Sequence, residues 1–319
     1  MGDPLGACRR VLEASHSFAR PIELLPERLN RSVTCAYVLC RVADTIEDDP
    51  KSAPETKRDR FDAFLGALED GEGVEAVKDP RFPAALELLV TLPASHRAVC
   101  VRWVSELARG MAIYCLRSPG TDGIVAPTTL ADLERYCHFA AGTVGLLLSD
   151  LFLEEMPGLP DENRFRESGE TYGIALQFVN TLRDLPKDIE EKRCFVPRTF
   201  CPYLPGLIAP ENRAAAHQAL APLYRRAREL LERALAFGLS VPPSPVRLAC
   251  LIPLWLAVPT LRRHEGNDEA LVPGRSLRLS REKAEDLMLD LSGRVADDEA
   301  LRQGFRRLME LPVTSHPGV

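Results

Sequence analysis

Tyr37-Val38-Leu39-Cys40-Arg41-Val42-Ala43-Asp44-Thr45-Ile46-Glu47-Asp48 is the stretch on which the reading of this chain turns. Together with Val33 and Ala36, its apolar residues recur near the 3.6-residue period, which predicts an amphipathic helix over 29–48. Asp44 and Asp48 stand four residues apart, so on a helix their carboxylates project from one face, and Glu47 shares that side. Unpaired like charges at this spacing destabilise a helix by about 0.2–0.5 kcal/mol. They also stand near the helix C-terminus, where the dipole disfavours negative charge. A hard cation removes both penalties, and Mg²⁺ typically takes one or two carboxylates plus water and substrate phosphate oxygens. A single pair of this kind is ordinarily a solvated acidic face; its repetition is what points to chemistry.

The repetition lies in Gln177-Phe178-Val179-Asn180-Thr181-Leu182-Arg183-Asp184-Leu185-Pro186-Lys187-Asp188. Gln177, Asn180 and Asp184 follow an i, i+3, i+7 progression, and Asp184 and Asp188 repeat the four-residue spacing. Pro186 predicts a break or kink at this point. Arg41 and Arg183, three and one residues before the first aspartate of each motif, are suited to bidentate phosphate contacts.

Outward from these motifs the period stays helical. Segments 58–68, 129–152, 170–183, 211–237, 245–263 and 281–292 carry apolar stripes, with Thr128 or Thr129 as a candidate cap of the second. The breaks are short and rich in Pro and Gly, and no alternating strand pattern or internal repeat interrupts the series. The expectation is an all-α fold in a single domain over 1–319. The net charge of −6 supplies no global basic field for nucleic acid. Nine cysteines show neither zinc spacing nor a disulfide framework, which predicts free buried thiols in a reducing compartment. The most apolar late segment, 248–261, has about 14 residues against the roughly 20 of a bilayer span. The expected location is cytoplasmic, with any membrane contact peripheral and at the inner face.

Four segments together resemble the squalene and phytoene synthase family. They are Ser15-His16-Ser17-Phe18-Ala19 with Leu25-Pro26, the stretch from Tyr37 to Asp48, Tyr136-Cys137-His138-Phe139-Ala140-Ala141-Gly142-Thr143-Val144-Gly145, and Gln177 through Asp188 to Arg193-Cys194-Phe195-Val196-Pro197. The resemblance implies a helical isoprenoid-synthase fold around a central active-site cavity. It also implies a transferase that joins two prenyl diphosphates head to head (1′-1) through a cyclopropyl presqualene-type intermediate. Asp44, Glu47, Asp48, Asp184 and Asp188 would surround Mg²⁺ ions bridging the diphosphates. His16, Ser17, Arg41, Gln177, Asn180 and Arg183 would bind substrate, with Phe18 and Tyr37 at the first half-reaction. Tyr136 would assist proton handling near the leaving diphosphate. The family commonly has Arg or Lys where His16 stands here, and an imidazole carries its charge only conditionally at neutral pH.

The Asp44–Asp49 pattern with Tyr136-Cys137-His138-Phe139 is closer to squalene synthases, which implies farnesyl diphosphate as substrate and NADPH as reductant. Phytoene or dehydrosqualene synthesis without reduction is the alternative product reading. The basic residues Arg262, Arg263, Arg275, Arg278 and Arg281 occupy the region where squalene synthases meet the nucleotide, but the match there is poor and the cofactor residues stay unassigned. A non-catalytic assembly protein of the same fold is the alternative from another class; both aspartate motifs, whose loss would mark it, are intact.

Overall fold

The computed structural model describes residues 3–13, 18–159 and 161–310. Among the described residues there is no β-strand, in agreement with the all-α expectation; Val125 and Arg193 form an isolated parallel bridge. The helices are α1 (Pro4–Glu13), α2 (Ala19–Glu23), α3 (Glu27–Asp48), α4 (Pro54–Glu69), α5 (Phe82–Val90), α6 (Ala94–Cys115) and α7 (Leu130–Cys137). They continue with α8 (Thr143–Glu155), α9 (Glu162–Arg183), α10 (Leu185–Glu190), α11 (Arg213–Ser240), α12 (Pro245–His264), α13 (Arg281–Arg294) and α14 (Asp298–Glu310).

Local chemistry accounts for many of the ends. Thr129 Oγ1 accepts from the Asp132 N–H while the Asp132 carboxylate accepts from the Thr128 N–H, a reciprocal cap that starts α7. Ser244 and Ser280 accept from the backbone of Arg247 and Lys283 and cap α12 and α13. Proline near the first turn of α4, α5 and α12 leaves undone only a hydrogen bond that the helix start lacks anyway.

The chain divides into two compact units, Met1–Arg117 with Tyr136–Ile174, and Ser118–Arg135 with Ala175–Val319. In the first, α3 is the hub: Val38, Leu39, Val42, Ala43 and Ile46 are fully enclosed, and the helix packs on α1, α4, α5, α6 and α8. Phe64 and Phe82 stack beside it with ring centroids 4.9 Å apart. Burying one such side chain contributes about 1.5–3 kcal/mol. In the second unit, α11 and α12 pack together and α12 carries α13 and α14, with buried Trp255 and Phe305 5.5 Å apart.

Among the described residues two helical stretches, Leu130–Glu155 and Pro245–His264, are long and apolar enough to cross a bilayer by length and composition. The second is therefore longer than the 14-residue apolar run read from the sequence. In each, most of the apolar window is buried inside the protein, 61% and 67%, as in core helices. All nine cysteines are free, and six of them are buried.

Candidate active site

The first motif occupies the last two turns of α3. Glu47 is buried, Asp44 half-buried and Asp48 exposed, so one helical face passes from core to solvent across the three carboxylates. Arg41 donates from Nη1 to Asp44 Oδ2 at 2.9 Å, one turn earlier on the same face. Arg41, Asp44, Thr45, Asp48 and Asp49 line a cleft of about 260 Å³. Burial pushes the Asp44 carboxyl up to about 6; Arg41 opposes the shift and Asp48 adds to it.

Glu47 meets the phenol of Tyr136, whose O–H donates to Oε2 at 3.4 Å. The Tyr136 ring is also enclosed, edge-on to Tyr114 at 5.1 Å, and the Arg117 guanidinium lies 3.9 Å over the Tyr114 ring. Immediately after Tyr136 the helix widens into a π turn over His138–Gly142 before α8 continues. Such turns occur mostly singly and frequently at functional sites. His138 Nδ1 and Glu170 Oε1 are 2.7 Å apart beside this turn. Gly145, three residues past it, has no room for a side chain: a Cβ there would stand 1.8 Å from the Gly169 carbonyl oxygen. Close helix contact, rather than space for a ligand, accounts for this glycine.

Phe18 precedes α2, is partly exposed, and lies 6.2 Å from the Tyr37 ring, so the two aromatic residues expected together are neighbours. Ser17 and His16 lie outside the described residues.

The second motif is at the α9–α10 junction in the other unit. Pro186 interrupts the helix as expected, yet the register survives: the Asp184 N–H donates to the Asn180 carbonyl and the Asp188 N–H to the Asp184 carbonyl. Proline occupies an early position of α10, where its missing N–H is tolerated. Asn180 Nδ2 donates to Gln177 Oε1 at 3.4 Å, so the polar line is real. Arg183 grips Asp184 through Nε at 2.8 Å and Nη2 at 2.5 Å. Asp188 is 6% exposed, and burial pushes its carboxyl up to about 7; Arg193, 3.9 Å away, opposes this and Asp184 reinforces it.

Among the described residues no group of three or more His, Cys, Asp or Glu gathers closely enough to hold a metal by protein ligands alone. The donor set at both motifs is carboxylate only, and burial makes the ionised forms of Asp44 and Asp188 costly, a cost that a bound cation relieves. These are hard oxygen donors that leave coordination positions to water and phosphate, which fits Mg²⁺ and not a closed zinc site. Among the basic residues of the 262–281 region, Arg275 pairs with Glu269 at 3.1 Å and Arg281 with Glu285 at 2.8 Å.

Sequence reasoning missed Arg81 and Asp79. Arg81 Nη2 donates to Thr45 Oγ1 at 2.6 Å, and Asp79 is buried beneath the guanidinium. These residues are 36 and 34 positions from Thr45, and no local period signals such a contact.

The description Squalene/phytoene synthase belongs to the family model that matches residues 11–283. Squalene synthase from Schizosaccharomyces pombe is 28% identical over 268 residues, covering 80% of this chain and 58% of that protein. Squalene synthase from Rattus norvegicus is 24% identical over 99% of this chain and 77% of its own length. The chain thus spans little more than half the length of the first of these relatives. A solved structure of TcSQS with the ligand BPH1237 superposes with a TM-score of 0.82 at 23% identity, covering 99% of this chain and 94% of that one. A ligand-bound dehydrosqualene synthase gives 0.66 at 19% identity, covering 92% and 96%. With its helical isoprenoid-synthase architecture and both aspartate motifs in place, the chain belongs to the squalene/phytoene synthase family.

Proposed function

We propose that this protein joins two farnesyl diphosphates head to head (1′-1) through a cyclopropyl presqualene-type intermediate and reduces the product to squalene. The observation that carries the reading is the α3 cleft, where Arg41, Asp44 and Asp48 set one guanidinium and two carboxylates around a space of about 260 Å³. Family membership and the squalene synthases among its relatives support the choice of reaction.

Asp44, Glu47, Asp48, Asp184 and Asp188 would hold Mg²⁺, which when bound supplies positive charge to the oxygens of a departing diphosphate. Arg41 in the first unit and Arg183 in the second offer planar donors suited to phosphate oxygens, and Gln177 and Asn180, on the helix of Arg183, are further substrate contacts by family position. The Phe18 and Tyr37 rings offer π faces to the allylic cation and keep water from it. Tyr136, with its O–H directed at Glu47, handles the proton lost as the cyclopropane closes. His16 and Ser17 belong to the same substrate set by family position.

The reduction draws on NADPH, for which no residue is assigned. Action in the cytoplasm, with peripheral membrane contact, suits an amphipathic substrate and an oily product. The chain 1–319 is proposed to act as one catalytic domain.

The test is incubation of purified protein with farnesyl diphosphate and Mg²⁺, with and without NADPH, and mass spectrometry of the products. Squalene only with NADPH, and presqualene diphosphate without it, supports the proposal. A dehydrosqualene-type product in both reactions would replace it with the carotenoid reading, and no product from farnesyl or geranylgeranyl diphosphate would favour the assembly protein.

A further inference from the structure

Helix α3 ends on a concentration of negative charge, with no basic residue in its last turn to meet the dipole. Positive charge arrives instead from α4, where Lys57 Nζ donates to the Glu47 carbonyl and Arg60 Nη1 to Asp49 Oδ2 at 3.2 Å, and from the segment before α5. Asp79, whose side chain is 3% exposed, receives Arg81 in a fork: Oδ1 accepts from the Arg81 backbone N–H and from Nε, both at 2.9 Å, and Oδ2 accepts from Nη2 at 2.5 Å. The segment is itself fixed, because Lys78 takes a left-handed conformation at φ 55° and the Phe82 N–H donates to the Asp79 carbonyl at 3.1 Å. Nη2 is therefore held in place where it donates to Thr45 Oγ1 at 2.6 Å, and the Thr45 hydroxyl in turn donates to the Arg41 carbonyl at 2.9 Å. Thr45 lines the cleft between Asp44 and Asp48.

We propose that Asp79, Arg81 and the Thr45 hydroxyl form a strut that fixes the α3 turn bearing Asp44 and Asp48, and that this strut sets the affinity of the first motif for its divalent cation. Arg81 and Thr45 are positioning residues here: they act through the geometry of the carboxylates beside them. The inference rests on the reading of that motif as a Mg²⁺–diphosphate site. Partners that orient metal-binding carboxylates commonly matter this much, their loss costing about 10–100-fold in metal affinity or activity.

The test is calorimetric titration of Mg²⁺ into the protein with non-reacting farnesyl thiodiphosphate, together with circular dichroism of each variant. Thr45→Val is the main variant, because it exchanges the hydroxyl for a methyl group of similar size and leaves the Asp79–Arg81 pair intact. It should weaken Mg²⁺ binding about tenfold with an unchanged helical spectrum, and Thr45→Ser should restore most of the loss. Arg81→Lys, which keeps the charge but not the fork, should fall between. Parental Mg²⁺ affinity in Thr45→Val, beside lost affinity in Asp44→Asn, overturns the strut alone. Parental affinity in Asp44→Asn, or no Mg²⁺ binding by the unaltered protein, overturns the metal assignment and the strut with it.

Discussion

Tyr136 and Glu47, 89 residues apart in sequence, face one another across 3.4 Å, the phenol donating to the carboxylate inside the enclosed part of the first aspartate face. The contact couples the family's tyrosine signature to its acidic motif within one unit of the protein. Removing the hydroxyl while keeping the ring separates chemistry from packing. Tyr136→Phe retains the edge contact with Tyr114, so the melting temperature should stay close to the parent's. Turnover should fall roughly 10²–10⁴-fold, the usual contribution of a proton-transferring group. Unaltered turnover would remove Tyr136 from the reaction.

Asp48 and Asp184 are the more exposed carboxylates of the two motifs, so their neutral amides should fit without disturbing the core. Asp48→Asn and Asp184→Asn are each expected to lower turnover at least about 10²-fold, as losing one electrostatic transition-state contact does. Full activity of either, with Mg²⁺ as the only divalent ion, would end the assignment of that residue as a ligand.

Metal removal should be visible without turnover. Farnesyl thiodiphosphate should raise the melting temperature only when Mg²⁺ is present, and a chelator should cancel the rise, because a ligand bound by the native state alone stabilises it by mass action. An equal shift with and without Mg²⁺ would mean that arginines alone hold the diphosphate.

Asp122 gives the protein an acid-sensitive joint. Arg198 holds both of its oxygens, at 2.8 and 3.0 Å, and with the Ile124 and Leu204 N–H groups keeps the carboxyl down at about 2. A carboxyl lower in the folded than in the unfolded state adds stability above its unfolded pKa near 3.9, and that stability is lost as pH falls through the folded value. The parent should therefore lose stability from this pair between about pH 4 and 2. Asp122→Asn should already be less stable at pH 7, by about 1–3 kcal/mol, and should show a shallower decline on acidification. Parallel pH curves for the two proteins would contradict the pairing.

Gly145→Ala tests the close crossing of α8 and α9. Its methyl group would stand 1.8 Å from the Gly169 carbonyl, so the helices must separate. Overpacking of this kind costs typically about 1–3 kcal/mol, read as a lowered denaturation midpoint. An unchanged midpoint would show that the crossing yields freely.

The helical class, the helix carrying the first motif and the paired aspartates were legible because each is local. A 3.6-residue stripe, a threonine three residues before an aspartate, and two carboxylates four apart all declare themselves within one or two turns. Even the effect of Pro186 could be foreseen as a break, though not that the Asp184–Asp188 register would survive it. Helix α6 went unread, since its buried face includes His96, Ser105 and Gly110 as well as apolar residues and so blurs the stripe.

By itself, then, the sequence determined which residues could carry the chemistry and on which helices they stand, because side-chain spacing along a helix is fixed by backbone geometry. Only the tertiary structure decided their environments: that Glu47 meets Tyr136, that Asp188 is buried while Asp48 is exposed, and that Arg81 reaches Thr45. Burial and pairing arise from contacts between residues tens of positions apart, and such contacts leave no period in the chain from which they can be read.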